Sequence, residues 1–382
     1  MFILTNEQRK CFGLSPIQDN WELIKLKSSK YDKNASYAYK EGTVIKKVIH
    51  VSEDFRCDNE EMYIECELNE QLSEDGTMLL PKTAKGKPVK LTASTIGKRK
   101  AIGMVFSYSH GKLSLYNTNT DQNYYQSIYE DLHIPNLEAL SLWIQEWCDN
   151  TGEKELEDIT SFSLRKRHRH KYKEGDYFKF KINRNTYIYG RILLSYDRLR
   201  KEKIPFWDTF FGKPLLVGTY RMITNRGDIR IEELSDLEML PTHLIMDNPF
   251  YYGEYEIIGN KKVVLEKEDL PIHYGGGKGY GENCIYFQRG TTFIKIDNEK
   301  ALFDKFDNTA IGWTLNLNLP VLKKCIKEQS NNAYWKEYKT YGNDFRNPAF
   351  KKEWDQVVAQ MTKYISKDML MDMNTHAIIV AD

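Results

Sequence analysis

Residues 175–194 read GDYFKFKINRNTYIYGRILL, and the alternation within this stretch decides the fold of the middle of the chain. In its first half Phe178, Phe180 and Ile182 point one way and Tyr177, Lys179 and Lys181 the other. A period of two marks a half-buried strand. Asn183, Arg184 and Asn185 supply the turn, because Asn tolerates positive φ. The return strand repeats the pattern: Ile188, Ile192 and Leu194 inward, Tyr187, Tyr189 and Arg191 outward. Gly190 falls on the inward face, where a missing side chain allows a bend or a close approach.

Downstream, Leu215 to Tyr220, Tyr251 to Ile258, Cys284 to Gln288 and Thr292 to Ile296 read as further short strands. Their spacing predicts a strongly bent antiparallel sheet or a small β-barrel. Upstream, Met62, Ile64, Cys66 and Leu68 alternate with Tyr63, Glu65 and Glu67, the period-two pattern of a half-buried strand. Residues 101–108 and 112–117 pair around His110 and Gly111. Asn136 caps a helix whose inner face is Leu137, Leu140, Ile144 and Trp147. A second helical stretch from Glu153 to Leu164 bridges to the next module. Towards the C-terminus, Pro320 opens a helix through Lys327. Asn347 and Pro348 open a stronger one, with Phe350, Trp354, Val357, Met361 and Tyr364 as a core-facing stripe. Ala377 to Val380 would add an edge strand. The fold class expected is α+β, with a β-rich domain over 1–150, a β-rich module over 151–300 and a helical extension over 301–382.

Composition narrows the function classes. A chain of 382 residues with 41% hydrophobic content supports more than one core. The balance of 55 basic against 54 acidic side chains argues against a dedicated nucleic-acid binder. No apolar run is long enough to span a bilayer, the N-terminus does not read as a signal peptide, and no membrane partner is expected. The six cysteines are scattered without a CxxC pair, which suits reduced thiols in the cytoplasm. Tyrosine is abundant, at 25 residues, and suits both sheet faces and binding surfaces.

No stretch of the sequence carries a recognised catalytic or cofactor motif. Residues 275–281, GGGKGYG, lack both the P-loop and the dinucleotide-binding spacing and read as a connection. His168 and His170 sit in the cationic run 165–173, which repels a divalent metal, so neither metal nor cofactor is expected. That run, and the seven Lys and Arg of residues 81–100, read as solvated faces. Glu254 and Glu256 share a face of the expected strand with Tyr252 and are the one carboxylate pair a hydrolase could use. No catalytic residue is assigned, and an enzyme is not expected.

The middle module resembles the immunity protein 26 family, found beside polymorphic toxins in bacteria. The resemblance rests on residues 173–181 (KEGDYFKFK), 187–193 (YIYGRIL), 214–217 (PLLV) and 246–259 (MDNPFYYGEYEIIG), in that order. Residues 1–14 and 80–87 are similar to longer members. It implies an α+β immunity protein that binds and blocks a cognate toxin, with no catalytic residue to carry over. Tight association needs a few desolvated aromatic or Arg anchors in a polar rim. The outward row Tyr187, Tyr189 and Arg191, and Tyr252 with Glu254, have that composition and are the expected partner-binding residues. The alternatives are a small-barrel module for RNA or another protein, and a hydrolase.

Overall fold

The computed structural model describes residues 2–27, 35–52, 61–80, 82–130, 132–203, 207, 212–264, 270–276, 283–303, 316–338, 344–366 and 378–381. The chain divides into two compact units, residues 1–168 and 169–382.

In the first unit a short helix α1 (Asn6–Cys11) precedes strands β1 (Glu22–Leu26), β2 (Ala35–Glu41), β3 (Val44–Ser52) and β4 (Met62–Gln71). A small hairpin, β5 (Thr77–Met78) and β6 (Val89–Lys90), then leads to a one-turn helix α2 (Ala93–Ile96). Strands β7 (Ile102–Ser109), β8 (Lys112–Asn117) and β9 (Gln122–Gln126) complete the sheet, and helices α3 (Leu137–Asp149) and α4 (Glu153–Ser163) close the unit. The sheet runs β1-β2-β3-β4-β7-β8-β9, antiparallel throughout. His110 and Gly111 both take positive φ between β7 and β8, the backbone twist that a two-residue hairpin demands. The Asn136 side chain accepts from the Ala139 backbone N–H at 2.8 Å, and the predicted stripe of α3 is buried. Ile159 and Phe162 of α4 join the same core, so this helix belongs to the first unit rather than bridging out of it.

On β4 the buried face is the one that carries Tyr63 and Glu65. Tyr63 and Glu65 are fully buried while Ile64 is half-buried. Both faces of the sheet are covered, so the other set, Met62, Ile64 and Cys66, is half-buried rather than open. One face packs Tyr63, Phe106 and Ile49 under α1, α3 and α4. The other packs Leu68, Val48 and Ile45 under Met78, Ala93 and Ile96 of the β5–α2 excursion. Glu65 is tolerated inside because α1 delivers a cation to it. Arg9 donates through Nε to Glu65 Oε1 at 2.7 Å and through an Nη to Oε2 at 3.1 Å. Lys47 Nζ donates to the same carboxylate at 2.8 Å, and the Tyr63 hydroxyl donates at 2.6 Å.

The second unit begins with β10 (Asp176–Asn183) and β11 (Thr186–Ser195), a short helix α5 (Asp197–Lys201) and β12 (Pro214–Thr219). Helix α6 (Ile231–Leu234), β13 (His243–Met246), α7 (Asn248–Tyr251) and β14 (Glu256–Asn260) follow. Next come β15 (Ile272–Gly276), β16 (Cys284–Arg289) and β17 (Thr292–Asp297). Helices α8 (Leu319–Glu328), α9 (Asn332–Tyr338) and α10 (Lys351–Met361) precede a last strand, β18 (Ile378–Ala381). One sheet is ordered β13-β12-β11-β10-β14 and the other β15-β16-β17-β18. They pack face to face through Leu194, Leu216 and Leu244 against Cys284, Tyr286 and Phe293. The α10 stripe is core: Val357 and Met361 cover Ile285, Phe287 and Ile294 on the far side of the second sheet.

The architecture is α+β, with a β-rich first half and helices towards the C-terminus. Of the two forms expected for the middle, the bent sheet is found. Register shifts at Tyr177/Phe178, Lys181/Asn183 and Ile192/Leu194 bend it, and no barrel closes among the described residues. The β10–β11 turn also differs from expectation. Neither Asn takes positive φ; instead Asn183 Oδ1 accepts from the Asn185 N–H at 3.2 Å, an Asx-type turn. The expected strand over Tyr251 to Ile258 is α7, a turn at Gly253 with φ 74°, and then β14. Pro249 at the start of α7 explains the change. Residues 277–281 of the glycine-rich stretch lie outside the described residues, as does Ala377.

Candidate partner-binding recess

The outward row of β11 is where sequence and structure part most clearly. Tyr187 is half-buried, but Tyr189 is completely buried and Arg191 is only 7% exposed. The expectation that these three lie open is corrected for the last two. An arm formed by residues 220–240 folds over that face, and Tyr177 and Tyr189 pack with Tyr220, Ile229 and Leu234. The Tyr189 hydroxyl donates to the Arg226 carbonyl at 2.8 Å, tying the arm down. Burial holds this hydroxyl above its usual pKa. Lys179 and Lys181 each bring an ammonium to 5.9 Å from the Tyr187 ring.

Tyr252 and Glu254 do not join that row. They lie in the turn after α7, whose Phe250 and Tyr255 pack on Phe178 and Phe180, the opposite face of the sheet. Glu254 is exposed, and the protein mass around it raises its carboxyl above the usual range. Glu256 pairs with Lys179 at 3.3 Å. The two carboxylates therefore share no strand face.

At the Arg191 end the arm leaves a recess of about 410 Å³. Its lining includes Tyr177, Arg191 and Tyr220. The two tyrosine rings stack at 6.3 Å with an 11° interplanar angle, and the guanidinium lies 4.8 Å from the Tyr177 ring centre. Arg191 also donates to the Lys261 and Lys262 carbonyls at 2.6 and 3.0 Å. At the mouth stand Leu237 and Val264, 39% and 46% exposed, with Lys261 and Lys262 beside them. Ser235 and Thr242 add hydroxyls.

The wall beside Arg191 is built by the short motifs singled out in the sequence. Gly175 takes φ 86°, and a Cβ there would lie 2.3 Å from the Lys261 carbonyl oxygen. Buried Asp176 accepts from the Lys173 N–H at 2.7 Å and from the Asn260 side chain at 2.7 Å. Gly190 lets Phe178 and the Gly218 carbonyl approach to positions 2.4 and 2.6 Å from where a Cβ would sit. Segments 173–177, 190–192 and 259–262 thus meet at one end of the sheet. Residues 173–280 match the family model described as Immunity protein 26. The match covers under a third of the chain and includes every residue named for the recess. It supports an immunity role in general. No curated protein and no solved structure matches the chain. Among the described residues, no helix is long and apolar enough to cross a membrane.

The sequence signal for the recess was present but divided. Arg191 was singled out, whereas Tyr177, Tyr220 and Leu237 come from elements whose convergence depends on the fold of the 220–240 arm. That arm has little regular structure and so no periodicity to read.

Proposed function

We propose that this chain is an immunity protein that neutralises a cognate bacterial toxin by direct, non-enzymatic association in the cytoplasm, and that the toxin docks at the Arg191 recess. The observation that carries the reading is the convergence of the family's motif segments on the wall of this recess. The local chemistry supports it. Buried aromatic rings and an arginine, surrounded by half-open apolar side chains and a polar rim, form the anatomy of a binding hot spot. Arg191, Lys261 and Lys262 favour an acidic side chain as the anchor. Tyr187 remains a candidate contact beside the arm, and Tyr252 and Glu254 would serve a second patch on the other face.

Co-expression tests the reading. A polymorphic toxin proposed as its partner should arrest growth alone and be tolerated when the chain is present, with the two proteins co-purifying. Growth arrest that the chain does not relieve would remove the reading.

A further inference from the structure

The first unit carries a surface that the recess does not explain. Between β4 and β7 the chain leaves the sheet for β5, β6 and α2. The inner side of this excursion is core: Met78, Ala93 and Ile96 seal the second face of the sheet. Its exposed residues are of another kind. Lys82, Lys85, Lys87, Lys90, Lys98 and Lys100 are all exposed, and among the described residues none is in ion-pair contact with a carboxylate. Arg99 differs, being bound to Glu70 at 2.7 Å. Leu79 and Leu80 follow directly on buried Met78, yet they are 47% and 66% exposed. Six like charges on so short a segment repel one another unless an anionic partner is close.

We propose that this excursion is a docking surface for an anionic lipid bilayer, with the lysines at the headgroups and Leu79 and Leu80 entering the interface. Three features favour lipid over nucleic acid. Residues 79–100 hold no aromatic side chain on which a base could stack. Their one arginine, the side chain best suited to reading base edges, is engaged by Glu70. Paired exposed leucines beside lysines combine the apolar and electrostatic contributions that peripheral membrane binding requires. The unit would then hold the recess-bearing module near a membrane through reversible surface contact, with no spanning segment.

Sedimentation of the full chain with vesicles tests this. Vesicles of phosphatidylcholine and phosphatidylglycerol in equal parts should carry the chain down at low salt and release it as salt rises, and pure phosphatidylcholine should not. Each lysine at an anionic surface strengthens binding about fivefold, so Lys85→Gln with Lys87→Gln should weaken partitioning by roughly 25-fold. Both side chains are exposed, so the variant should keep the wild-type circular dichroism and melting curve. Leu80→Ser should weaken binding to the same vesicles without changing its salt dependence. Failure to sediment with the anionic vesicles, equal sedimentation with neutral ones, or retention of single-stranded RNA without vesicle binding would each overturn the proposal.

Discussion

Glu65 has no contact with solvent, and the two cations that flank it are buried with it. Burial alone would raise its carboxyl, but Lys47 and Arg9 together hold it below the usual carboxylate range. Removing one member of such a cluster leaves an uncompensated charge in the interior. Glu65→Gln should therefore lose about 3–5 kcal/mol from the first unit, read as a lower denaturant midpoint. The second unit holds the reverse case, buried groups kept neutral. Burial pushes His243 down to about 3 and His273 down to about 4. Neither ring nitrogen of His273 has a hydrogen-bond partner among the described residues. Both folded values lie below that of a free histidine, so the unfolded chain takes up protons first as pH falls. Stability is full above pH about 6.5 and declines below it, by about 1.4 kcal/mol per pH unit for each histidine. His273→Leu should remove one of these two contributions, so unfolding measured from pH 7 to 5 should show a slope about half as steep. An unchanged slope would mean that His273 is not held neutral.

Among the elements, those that alternate cleanly were legible and those buried on both faces were not. The pairing of β10 with β11 and of β7 with β8, the α3 stripe and the α10 stripe follow from side-chain period, although the β10–β11 turn takes another form. The alternation in β4 leaves open which face is buried; α1 covers the charged one, a tertiary fact that no local pattern contains. Tyr189 and Arg191 misled for the same reason, being covered by an irregular arm from 30 to 50 residues away that period-based reading passes over. Gly190 was read correctly as a point of close approach. Gly190→Ala would drive a methyl group into Phe178 and the Gly218 carbonyl. It should cost about 1–3 kcal/mol and shift thermal unfolding of the second unit down. A variant of unchanged stability would show that the β10–β11–β12 packing is looser than described.

For the molecule as a whole, the chain passes from one unit, with its own core, to the other through an exposed, basic segment. Residues 164–171 are all exposed and offer several Lys and Arg to trypsin. Limited digestion should cut there and leave both halves resistant, identified by their masses; loss of one half would show that it depends on the other. The family match falls wholly in the second half, which is where the recess lies. In the proposed function this recess receives the toxin. Leu237 stands at its mouth, is part-exposed and can take a charge without disturbing a core. Titration calorimetry of the cognate toxin against the full chain and its Leu237→Glu variant is the most direct test. A recess that seats an acidic anchor should lose at least about 30-fold in affinity, since the new carboxylate repels it at the mouth. Equal affinity for the two proteins, with the variant's fold intact, would place the toxin elsewhere and contradict the account.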